Sequence, residues 1–287
     1  QTVDSTPITV HGEVEEMHGD TSGDFPSTHV RADVNHFLRL DAGEEGFLAD
    51  GNVEEDGRLH TEWEAGKYPA WAWAGVGDRM VAMGRHIFDC GHPGAHGGQC
   101  SATTARPCIL DDDCRPPTCV ACGATETCTG VEYEYSSELH PPHATAAIRR
   151  GRGGIVTHAA NPTAVLATRA DIYASPDGGG AGDRCVLSHL GNALEQLTVQ
   201  CWPADEPVAR LNQADFRFLL PMPARPLKGR ASYRITQMSP PGGIAPRIRV
   251  KRRLRGPSPS LEIIVRLSRK VGGQLPTGLA ATIEAGW

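Results

Sequence analysis

No apolar run in this chain approaches the roughly 20 residues that a membrane-spanning helix needs, and aromatic residues make up only 6% of it. No long segment has a clean helical period. Residues 190–200 (LGNALEQLTVQ) are the single helix candidate. Catalytic signatures are missing too: there is no GxSxG elbow, no HExxH pair and no phosphate-binding P-loop. Cys122 is followed by Gly123, which removes a CxxCH haem attachment. GGGAGDR at 178–184 lacks a flanking strand–helix frame and reads as a turn. These absences argue against a helical membrane protein and the enzyme families those motifs mark, and no membrane span is expected. No signal peptide opens the chain. Gln1 is read as the start of a mature form.

What is present is glycine, proline and cysteine. The 33 Gly and 22 Pro of 287 residues are spread between short apolar segments, which favours many short strands joined by turns. Six of the nine cysteines, Cys100, Cys108, Cys114, Cys119, Cys122 and Cys128, fall in one stretch poor in core-forming residues. Such a stretch needs staples. Zinc would want two spaced Cys/His pairs, and Cys119/Cys122 is the only CxxC, so a disulfide knot is expected, its connectivity open. Cys185 and Cys201 are expected to bridge each other. Cys90 is left as a buried free thiol or, alternatively, a metal ligand or a link to another chain. The disulfides imply an oxidising compartment, hence a secreted, extracellular or periplasmic protein.

Charge divides the chain. Residues 1–150 hold 10 Lys/Arg against 25 Asp/Glu, a net of −15, and residues 151–287 carry +9. The split suggests two domains, 1–150 and 151–287, whose charges attract within a chain or between chains.

The first half reads as five strands: 7–17, 28–41, 58–64, 78–89 and 138–149. Between the third and fourth, Trp71 and Trp73 are expected to plug the core. A strand with a mid-strand glycine (HGEVEE), two return strands and then GDRMVAMGRHIF resemble the oligonucleotide/oligosaccharide-binding (OB) barrel. The resemblance implies a five-stranded barrel over about residues 5–150, with the cysteine-rich insert, 91–131, in the loop between strands four and five. That loop is one of two that frame the ligand in such barrels. A narrower likeness, DCGH…ELHP (Asp89 to His92, Glu138 to Pro141), is similar to a DxxH…ExHP signature of secreted bacterial proteins of unassigned function. The second half reads as a β-sandwich with strands in 164–175, 184–190, 215–223, 231–238, 247–255, 261–269 and 278–287. The fold class is therefore all-β: an OB-like barrel with a disulfide-rich insert, then a sandwich.

Three constellations could carry function. Asp89, His92, Glu138, His140 and His143 gather where strands four and five end side by side, and could hold a divalent metal, or simply brace a loop base. Glu138 and His140, two apart, share a strand face. Asp111–Asp113 could bind calcium, with a solvated acidic loop as the alternative. Strand 247–255 would place Arg247, Arg249, Lys251 and Arg253 on one face, either solvated or docking an acidic partner. The leading expectation is a secreted, non-enzymatic protein that binds a ligand or assembles with itself, or with an extracellular polymer. The alternative is a metal-dependent hydrolase. The acidic barrel opposes nucleic-acid binding.

Overall fold

The computed structural model describes residues 7–20, 33–53, 56–63, 68–88, 94–96, 98–100, 107–108, 128–129, 132–134, 136–153, 165–175, 185–189, 197–201, 214–223, 231–238, 246–267 and 278–287. Its strands in chain order are β1 Ile8–Asp20, β2 Asp33–Leu40, β3 Leu59–Trp63, β4 Arg79–Phe88, β5 Gly94–His96, β6 Gly98–Cys100, β7 Pro107–Cys108, β8 Cys128–Thr129 and β9 Glu132–Glu134. They continue with β10 Ser137–Gly153, β11 Val165–Ala174, β12 Cys185–His189, β13 Leu197–Cys201, β14 Asp215–Pro221, β15 Ser232–Met238, β16 Arg247–Arg253, β17 Ser260–Arg266 and β18 Leu279–Gly286.

Five strands close into a barrel. β1 pairs antiparallel with β2 and β4, β2 with β3, β10 antiparallel with β4, and β3 parallel with β10. This is the closed order of an OB-like barrel, as the HGEVEE and GDRMVAMGR segments implied. β1 serves two partners by bending. Ile8–Glu13 pair with β4, Gly12–Asp20 with β2, and an irregularity between Val14 and Glu16 marks the bend. At Gly12, which pairs with both neighbours, an added Cβ would lie 2.6 Å from the Arg39 carbonyl oxygen. Only glycine fits there without moving backbone. Alternation sends Val10, Val14, Leu38, Leu59, Met80, Ala82 and Leu139 into the barrel, all at 1% exposure or less.

The opposite faces of β4 and β10 form the floor of a second core. β10 pairs with β4 through Ser137–Ile148 and with β11 through Ala144–Gly153. β11, β18 and β15 extend the sheet. A three-stranded sheet, β14–β17–β16, lies over it. Val81, Met83, Ala146 and Ile148 from the barrel strands thus pack with Ile172, Ile283, Phe216, Phe218, Leu261, Ile263 and Val265. Each such large side chain contributes roughly 1.5–3 kcal/mol on full burial. Residue 150, where the charge changes sign, falls inside β10.

Two expectations are corrected. The helix candidate 190–200 is not a helix at its end: Leu197–Cys201 is β13, paired with β12, and the β-branched Thr198 and Val199 suit a strand; residues 190–196 lie outside the described residues. Trp71 and Trp73 are only half-buried, because they rim a cluster whose buried members are Val34, Trp63, Tyr68 and Ala72. Trp63 stacks on Tyr68 at 4.9 Å, and the Tyr68 hydroxyl shares a 2.9 Å hydrogen bond with the Thr145 hydroxyl.

Candidate functional site

β3 and β10 run parallel, with His60 opposite Glu138 and Thr61 opposite Leu139. Leu59, Thr61 and Trp63 are buried, as is Leu139, so the alternate residues His60, Glu62, Glu138 and His140 share the outer face. The result is two imidazoles and two carboxylates on adjacent strands. Glu138 is only 4% exposed. Its Oε2 lies 3.0 Å from His60 Nδ1 and its Oε1 3.3 Å from His140 Nδ1. Burial opposes the charge on Glu138, but the hydrogen bonds of His140 and His60 outweigh it and hold the carboxyl at about 2.

The ring of His60 is fixed from three sides. Its Nε2 lies 2.7 Å from the Asn35 side-chain oxygen. Its plane stacks on Phe37 at 4.8 Å and 11°. Arg58 lies over the same Phe37 ring at 4.9 Å and pairs with Glu16 at 2.8 Å. His18 meets the edge of Phe37. The base of β10 is anchored separately: the Asn52 side chain accepts from the Ser137 backbone N–H at 2.9 Å and donates to the Ser137 carbonyl at 3.0 Å.

Of the five residues the sequence grouped, the structure brings Glu138 and His140 together. His143 is fully buried beyond the register breaks around Pro142 and does not join them. Phe88, opposite Ser137, ends β4, and Asp89, Cys90 and His92 lie outside the described residues. His60 and Glu62 were missed. The signal was available: alternation within RLHTEWE, with the parallel neighbourhood of strands three and five in an OB-like barrel, places them beside Glu138 and His140.

Along β16, Arg247, Arg249, Lys251 and Arg253 are exposed and Ile248 and Val250 half-buried. With Asp215, Arg217, Ile264 and Arg266, the first three line a shallow groove on the outer face of the β14–β17–β16 sheet. Glu262 takes Arg253 at 2.7 Å and Lys251 at 3.9 Å, while Asp215 takes Arg217 and Arg266. Among the described residues, Arg247 and Arg249 have no ion pair.

No family model, curated protein or solved structure matches the chain. Among the cysteines, Cys185 stands opposite Cys201 in the β12–β13 register and Cys100 opposite Cys128 between β6 and β8. Cys114, Cys119 and Cys122 lie outside the described residues, as do Asp111–Asp113 and the 178–184 turn.

Proposed function

We propose that this is a secreted, non-enzymatic binding protein that assembles with itself through the cationic outer face of the β14–β17–β16 sheet. The observation that carries the reading is Arg247 and Arg249 exposed on one face without a carboxylate partner among the described residues, beside a groove lined by further cations. The acceptor is the acidic first half of a second copy. In the segment Glu44–Glu64, Glu44 is held by His11, which leaves Glu45 and Asp56 exposed. A contact between unlike surfaces of identical chains is heterologous and builds rings or fibres. The secreted assignment rests on the cysteine content, and the pairs Cys185/Cys201 and Cys100/Cys128, as cross-strand neighbours, suit the disulfide reading. Thiol titration of the unreduced protein should find about one free thiol.

The expected outcome in light scattering is assembly at low salt that recedes toward 1 M, where the Debye length falls to about 3 Å. Reversal of Arg249, Lys251 and Arg253 to Glu should abolish it. A monomer at every salt concentration overturns the proposal and leaves the cations as guards of an exposed edge strand. Assembly only with an added acidic polysaccharide would give the face an extracellular polymer as its partner instead. A second reading, a metal-dependent hydrolase, is favoured by the His60–Glu138–His140 cluster; hydrolysis of ester or phosphoester substrates lost with a chelator would support it.

A further inference from the structure

We propose that His60, Glu62 and Glu138, on the outer face of β3 and β10, bind one divalent transition-metal ion of the zinc class. The inference is independent of self-association and commits to no reaction. Its starting point is the hydrogen bonding of His60. The Asn35 side-chain oxygen can only accept, so His60 Nε2, 2.7 Å away, must donate. In a neutral imidazole the remaining nitrogen, Nδ1, then carries a lone pair. That lone pair points at Glu138 Oε2, 3.0 Å away, itself an acceptor held ionised. Two acceptors face each other at this distance only with a cation between them, a proton or a metal.

The surroundings favour the metal. A ligand atom each from His60, Glu62 and Glu138 lies within 4.8 Å of the others. Atoms arranged tetrahedrally around an ion at about 2.1 Å stand roughly 3.4 Å apart. His60 and Glu138 are already inside that spacing, and Glu62, half-buried on a strand surface, closes the rest by a side-chain rotation. His140 Nδ1, 3.3 Å from the other Glu138 oxygen, braces that carboxylate from outside the ligand group and leaves the fourth position to solvent. Asn35 then plays the part that outer-shell partners play for metal-bound histidines, fixing tautomer and ring orientation, and Phe37 clamps the ring plane. The mixed imidazole–carboxylate set selects zinc or its first-row neighbours and disfavours calcium and magnesium, which take oxygen alone.

The test uses the full chain, stripped with chelator and dialysed, titrated with Zn2+ by calorimetry and with Co2+ by absorption. The expected result is about one ion per chain, with cobalt d–d bands and no thiolate charge-transfer band, since the donors are nitrogen and oxygen. Glu62→Gln, on a half-buried position and so mild for folding, should weaken Zn2+ binding at least tenfold. Asn35→Ala should weaken it by roughly 10–100-fold through the freed ring. His60→Gln with Glu138→Gln should abolish it, circular dichroism confirming that the double variant folds. Three results would each overturn the proposal: no stoichiometric uptake by the folded wild-type chain, a thiolate band on the bound cobalt, or affinity unchanged in Glu62→Gln and Asn35→Ala.

Discussion

Gly12 and His36 show how single positions govern the barrel. A methyl group at Gly12 would press on the Arg39 carbonyl, so Gly12→Ala should destabilise the protein by about 1–3 kcal/mol. Denaturant unfolding would show this as a lower midpoint at unchanged slope. His36 is 1% exposed, and its Nε2 has no partner among the described residues. Burial, helped by repulsion from His60, pushes its ring down to about 3 from the usual 6.5. The unfolded chain therefore takes up the proton first as pH falls. The stability this residue contributes is complete above pH 6.5 and is lost at about 1.4 kcal/mol per unit down to about 3. Glu138 acts in a lower window: its contribution is complete above 4.5 and is lost toward 2. Acid titration of stability should thus begin to fall near pH 6.5, above the window in which Glu138 contributes. His36→Leu should flatten the curve between 6.5 and 4.5 while leaving the later fall. A wild-type profile flat down to pH 4.5 would contradict the burial of a neutral ring.

Among elements, the segment between β3 and β4 is tied to β10 by the Tyr68–Thr145 bond and, farther along, by the Arg149 side chain. Arg149 donates to Asp78 and Asp171, each at 2.7 Å, and to the carbonyl oxygen of Trp73. Asp171, 1% exposed, is completed by Arg169 and the Thr282 hydroxyl. Arg149→Ala removes the charged contacts among those that tie this segment to β10 and β11 and leaves a buried carboxylate short of a partner, a loss of about 3 kcal/mol. Amide exchange over 68–78 should accelerate ahead of the barrel strands; equal rates in both proteins would show that other contacts hold the segment. Nothing in PAWAWAGVGD announced this tie. The sequence suggested that the tryptophans themselves were the anchors, because bulk and apolarity are visible locally and a guanidinium arriving from residue 149 is not. Twelve of the thirteen strands of five or more residues, by contrast, were legible at the level of elements. β3 and β14 alternate in burial with a period of two, and β1 to β4 start within five residues of the expected positions. The site was half legible. Glu138 and His140 are two apart on one strand and reveal themselves, whereas His60 and Glu62 come from another strand and become neighbours only through the parallel β3–β10 pairing. LTVQ reads as the end of a helix because the preceding LGNALEQ mimics a helical period, whereas it opens β13.

For the whole molecule, the shared strands decide how it unfolds. β4 and β10 give one face to the barrel core and the other to the sandwich core, through Met80 and Ala82 on one side and Val81 and Met83 on the other. Cutting after residue 153 would leave Val81, Met83, Ala146 and Ile148 facing water as one apolar patch, so the fragment 1–153 is expected to aggregate on expression. The intact chain should melt in one transition with equal calorimetric and van't Hoff enthalpies. Two resolved transitions, with a soluble 1–153, would show that the second core is dispensable to the first.

The antiparallel pairing of β4 with β10 has a further consequence. Phe88 and Ser137 stand opposite each other, so the chain leaves the barrel and re-enters it at a single point. The Phe88–Ser137 pairing sets the same short span for whatever sequence joins those two residues. Loop-closure entropy changes by only about 0.6 kcal/mol per doubling of length, so replacing the intervening chain by a tight turn alters stability by a few kcal/mol at most. The same opening is a socket: a foreign peptide or small domain with adjacent termini could be seated there, at the paired ends of β4 and β10.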